Sequence, residues 1–90
     1  MKINICGIPH EIKEVEDRFD VDCHFGQINY KKAEILINKD LTDEIKEETI
    51  CHEVLHGILV HLGYGEQAND EQFVQAVGNA IYNSFTVKKV

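Results

Sequence analysis

Ninety residues suit one domain and leave no room for a second core. Hydrophobic residues at 43% and charged residues at 28% exclude a disordered or fibrous chain. Nine Lys and Arg against sixteen Asp and Glu give a net charge of −7, which argues against a nucleic-acid-binding face.

No apolar run approaches the roughly 18 residues of a membrane span. Residues 1–6 lack the long apolar stretch of a secretory signal, so the expected compartment is the cytoplasm. The three cysteines, Cys6, Cys23 and Cys51, are an odd number without C-x-x-C spacing. They read as free thiols rather than as a disulfide framework or a cysteine-rich zinc ribbon.

The N-terminal half reads as β. Ile3 and Ile5 alternate with polar neighbours, and Gly7-Ile8-Pro9 reads as a turn. His10 to Val15 reads as a return strand, or as the start of a helix running to Arg18 or Phe19; the pattern breaks near Asp20. His24–Tyr30 and Ala33–Asn38 read as a second hairpin turning at Lys31-Lys32. The C-terminal half reads as α. Thr42 is the expected N-cap of a helix from Asp43 to Leu62, stopped by Gly63 and Gly65. Asn69 is the expected cap of a second helix, Asp70 to Phe85, with Phe73, Val74, Val77, Ile81 and Phe85 on its core face. Gly57 and Gly78 suggest close approach of backbones. The expected fold is α+β, a small antiparallel sheet packed against two C-terminal helices that cover one face.

The first helix carries His52-Glu53-Val54-Leu55-His56, an H-E-x-x-H pattern. Residues i and i+4 lie on one helix face a turn apart, so two imidazoles can converge on one Zn²⁺. Glu53 lies about 100° round from His52. It is poorly placed as a ligand but well placed to take a proton from a water at the ion and pass it to a leaving amine. A structural zinc has no use for that carboxylate.

A catalytic zinc needs a third protein ligand and an open position. Glu71, in the first turn of the second helix, gives a site of two histidines and one glutamate. Asp70 lies nearer the apolar face and serves as ligand or as a support for one. Glu71 is preferred. His61 follows His56 by five residues, without the helix-breaking glycine of the longer H-E-x-x-H-x-x-G-x-x-H pattern, and points away. Glu66 is a weaker option. Cys51 is about 100° off the histidine face and reads as a packed thiol; His10 and His24 read as surface or turn residues.

His52-Glu53-x-x-His56, with an acid in Asn69-Asp70-Glu71-Gln72-Phe73-Val74, resembles the gluzincin arrangement of zinc metallopeptidases. More narrowly, with Phe25–Tyr30 and Ile35–Asn38, the chain resembles small zincin-like proteins of phages and prophages, distant relatives of the ImmA/IrrE metallopeptidases. The resemblance implies one zincin-like domain over residues 1–90 and a polypeptide substrate. It also implies that the strand before the zinc helix, Ala33–Asn38, borders the cleft and pairs with extended peptide. An oxyanion donor is not obvious; Tyr64 and Tyr82 are the phenols nearest in sequence. The expected function is zinc-dependent peptide hydrolysis. The alternative is an inactive zinc-binding module that recognises a protein partner. A small domain that gains folding energy from its metal suits that alternative.

Overall fold

The computed structural model describes residues 1–16 and 25–85. Strands β1 (Lys2–Ile5) and β2 (Ile8–Val15) pair antiparallel with Ile5 opposite Ile8. The turn is therefore Cys6-Gly7, one residue earlier than the expected Gly7-Ile8-Pro9. Cys6 and Gly7 both have positive φ, 51° and 84°. That is the two-residue geometry whose twist matches a hairpin. Pro9 precedes Glu11, where β2 begins to pair with β4 (Glu34–Asn38), so its missing N–H costs that ladder nothing. Residues 10–15 are strand, not helix. The expectations at Arg18, Phe19, Asp20, Cys23 and His24 fall outside the described residues.

Strand β3 (Gly26–Asn29) pairs antiparallel with β4, as the second hairpin requires. The Asn29 side chain accepts a bond from the Lys32 N–H at 3.0 Å across the turn. Strand order is β1-β2-β4-β3. The sheet is mixed rather than wholly antiparallel, because β2 and β4 run parallel, with Ile12 beside Ile35. Side-chain chemistry explains the order. The continuous run Ile35-Leu36-Ile37 suits a strand flanked on both sides, whereas β3 carries one large aliphatic residue, Ile28, and takes the edge.

Period-two alternation sends Ile5, Ile12, Ile35 and Ile37 to one face as the buried core. Helix α1 (Asp43–His61) lies on that face through Ile50, Val54 and Ile58. Thr42 caps it as expected, Oγ1 accepting from the Ile45 N–H at 3.3 Å. Gly63, at φ 88°, ends it. The Gly63 N–H reaches the Val60 carbonyl (3.1 Å) and the Tyr64 N–H reaches the Leu59 carbonyl (2.8 Å), the paired bonds of a Schellman stop. Gly65 does not stop the helix but opens a single turn, α2 (Gly65–Ala68).

Helix α3 (Glu71–Ser84) is capped by Asp70, not Asn69: Asp70 Oδ1 accepts from the Phe73 N–H at 3.1 Å. Among the described elements α3 touches α1 and α2 but not the sheet. The molecule thus has three layers, sheet, α1 and α3, rather than two helices side by side on one sheet face. Glycines set both spacings. A Cβ on Gly57 would lie 3.0 Å from Ile5 Cδ1, and one on Gly78 would lie 3.6 Å from His52 Cα. Gly57 therefore meets the sheet and Gly78 meets α1, and the two do not face each other. No described helix is long and apolar enough to cross a membrane.

Gly26 is the tightest point between β3 and α1. A Cβ there would lie 2.8 Å from both the Leu36 carbonyl oxygen and Thr49 Cγ2. A backbone oxygen cannot swing aside, so Gly26→Ala is expected to destabilise the fold by about 1–3 kcal/mol. Urea unfolding reads this, with Gly65→Ala, where a Cβ meets nothing within 4 Å, as the control expected to unfold like the wild type or later.

Candidate metal centre

The Schellman stop and the α2 turn reverse the chain and bring the start of α3 against the middle of α1. His52 and His56 project one turn apart from α1, their Nε2 atoms 3.2 Å from each other. Glu71 meets both from the first turn of α3. Its Oε1 lies 3.0 Å from His52 Nε2 and its Oε2 lies 3.0 Å from His56 Nε2. The ligand atoms of the three residues all fall within 4.8 Å of one another, so the group could hold a metal ion. Donors about 2.0–2.1 Å from a tetrahedral zinc stand about 3.4 Å apart. The observed spacings need only a slight opening to admit one. The Glu71 side chain is 70% exposed while the histidines are mostly covered. The histidines thus form the fixed wall, and the glutamate closes the group from the solvent side.

Glu53 lies beside them. It is only 7% exposed and lines the same cleft. It makes no hydrogen bond or ion pair with any described residue, although no fully enclosed side-chain polar atom lacks a partner. The carboxylate therefore opens onto the cleft. Burial, reinforced by the Glu71 charge, pushes its carboxyl up to about 7.

The cleft encloses about 420 Å³. Phe25, β3 and Tyr30 form one wall, α1 from Glu48 to His56 forms the floor, and Asn69, Glu71 and Gln75 form the far side. The bordering strand is β3, not the expected Ala33–Asn38. β4 is paired on both sides, with β2 and β3, while β3 has no second strand among the described residues. An edge strand is the one whose backbone groups remain available to an extended chain.

The other residues marked in the sequence lie elsewhere. Asp70 is spent on its cap, Glu66 is exposed on α2, and His61 ends α1; none joins the group. Cys51 is half-buried and outside it. His10 is neither a surface nor a turn residue: it is 1% exposed and donates from Nδ1 to the Ile8 carbonyl at 2.8 Å. Its ring stands edge-on to His61 at 6.0 Å. Its position two residues before Ile12 puts it on the inward face of β2. Tyr64 is exposed and does not line the cleft, and the Tyr82 hydroxyl donates to Glu47 Oε1 at 3.0 Å.

The phenol in the cleft is Tyr30. Burial raises its pKa, and the charges of Glu53 and then Glu71 raise it further. The signal was the alternation of β3. Gly26, Ile28 and Tyr30 share one parity, and that parity faces α1. No family model, no curated protein and no solved structure matches the chain.

Proposed function

We propose that the protein is a zinc-dependent peptidase of minimal, gluzincin-like design. The observation that carries this reading is the buried carboxylate of Glu53, without a partner among the described residues, opening onto the cleft where His52, His56 and Glu71 converge. Two imidazoles and a carboxylate match the donor preference of zinc and leave a position open. Zinc bound there would supply a Lewis acid that polarises a scissile carbonyl and eases deprotonation of water. Glu53 accepts the proton from the attacking water. It then delivers that proton to the amine nitrogen as the C–N bond breaks. The substrate chain lies extended along the free edge of β3. A non-catalytic module gives no reason to keep a carboxylate desolvated beside the metal ligands, where it costs stability.

The reading is tested by metal analysis of the untagged protein. Wild type is expected to carry about one zinc per chain, with His52→Ala, His56→Ala and Glu71→Ala losing it. Asp70→Ala is expected to keep it and lose only about 1 kcal/mol of stability with its helix cap. Wild type that takes up no zinc after reconstitution would end the metallopeptidase reading.

A further inference from the structure

The cleft is charged on one side only. Its lining contains three carboxylates, Glu48, Glu53 and Glu71, and no lysine or arginine. Two of these have employment under the proposed function, since a divalent ion balances the charges of Glu53 and Glu71. Glu48 is left over. It is partly buried on α1 and forms no ion pair or hydrogen bond with a described residue. Some acids outside the cleft have cation partners, Glu14 with Lys46 at 3.0 Å, Glu34 with Lys13 at 2.6 Å and Glu16 with Lys39 at 3.2 Å, while others such as Asp43, Glu44 and Glu66 stand exposed in solvent. Glu48 differs from these in being partly covered on the wall of a cleft. A partly covered carboxylate on a cleft wall, with no cation of its own, is suited to receive the positive charge of a ligand. That this cleft receives a ligand is indicated, apart from Glu48, by Glu53, more than nine-tenths buried and opening into the same space.

Resting on the peptidase reading, we propose that the substrate class is basic polypeptide, with Glu48 the specificity-determining residue that pairs with a Lys or Arg side chain beside the scissile bond. Spacing supports the placement. Glu48 precedes His52 by four residues, about 6 Å along α1. An extended peptide advances about 3.3 Å per residue. The cation therefore belongs within about two residues of the bond at the metal centre. Gln27, Asn69 and Gln75 also line the cleft and add only neutral donors and acceptors, which bring no competing positive charge. An acidic peptide would meet a negative wall with nothing to neutralise it.

The test separates recognition from cleavage. Zinc-loaded Glu53→Gln protein is titrated, by fluorescence anisotropy, with matched peptides carrying Lys or Gln at one position at a time. The same titration is run with Glu48→Gln added. Asp43→Asn, which removes one charge outside the cleft, controls for the overall −7 of the chain. The expected result is at least a tenfold preference for Lys at one position, retained with Asp43→Asn and abolished with Glu48→Gln. Equal binding of Lys and Gln peptides overturns the proposal, even if the wild type cleaves both. So does a preference that Asp43→Asn removes as effectively as Glu48→Gln. A Glu48-dependent preference in a protein that cleaves nothing leaves this inference standing and removes the hydrolytic reading instead.

Discussion

Zinc-loaded Glu53→Gln is expected to keep its metal and to hydrolyse peptide about 10²–10⁴-fold more slowly than the wild type. The two halves of that result have separate structural origins. Metal retention follows because Glu53 is not among the converging ligand atoms, which belong to His52, His56 and Glu71. Loss of turnover follows because a glutamine amide has nearly the shape of the carboxylate but cannot accept the water proton. No other described carboxylate replaces it: Glu71 is spent on the two imidazoles and Glu48 lies a full turn further along α1. Steady-state cleavage of a quenched fluorescent peptide, with zinc content measured on the same samples, reads both halves. Undiminished cleavage by metal-loaded Glu53→Gln would remove Glu53 from the chemistry, and cleavage absent from wild type and variant alike would favour a binding module.

The comparison of sequence with structure shows where local pattern stops being informative. The H-E-x-x-H spacing is intrinsic to one helix, so His52 and His56 could be paired from sequence without knowing what surrounds them. Glu71 needed more, because its distance to the histidines depends on how α3 returns after the α2 turn. First-turn position made it reachable. The competing acid, Asp70, caps α3 through the Phe73 N–H and is not among the atoms that converge with the histidines. The α+β class followed from the change of period near residue 40.

Sheet order did not follow, because pairing of β2 with β4 is a non-local choice that two separate hairpins leave open. That choice moved the cleft border from β4 to β3 and hid Tyr30. The sheet face had left its mark even so: alternation from Ile12 back to His10 places that residue inward, and alternation from Gly26 to Tyr30 places the phenol on the cleft side, still 44% exposed. The error at His10 came from weighing a single polar residue by type instead of by parity. The packing of α3 on the helices and not on the sheet was also illegible. Leu55, on α1 and outside the sheet cluster, is buried as well, so α1 has more than one apolar side and no single stripe marks its partner.

The same Glu53→Gln substitution is expected to stabilise the metal-free fold, increasingly so as pH rises from about 4.5 to about 7. The folded carboxyl titrates near 7, above its ordinary value of 4.5, because burial and the Glu71 charge disfavour the ionised form. A carboxyl raised in this way imposes no cost at pH below the unfolded value, where both states are protonated. The cost grows as pH climbs from about 4.5 to about 7 and then levels off. At about 1.36 kcal/mol per pH unit, the plateau is roughly 3 kcal/mol. Between pH 5 and pH 8 the unfolding free energy of wild type should therefore fall behind that of Glu53→Gln by about 2 kcal/mol. Urea titrations in the presence of a chelator measure this. The change in the gap with pH cancels any constant difference between a buried acid and a buried amide. A gap that stays the same at both pH values would mean that Glu53 titrates like a solvated acid, and the argument from its burial would fail. Zinc should shrink the pH dependence, because the ion offsets the charge that burial penalises. A residue found to weaken the empty fold, with that cost relieved by zinc, would be one kept for chemistry rather than for packing, as the peptidase proposal requires.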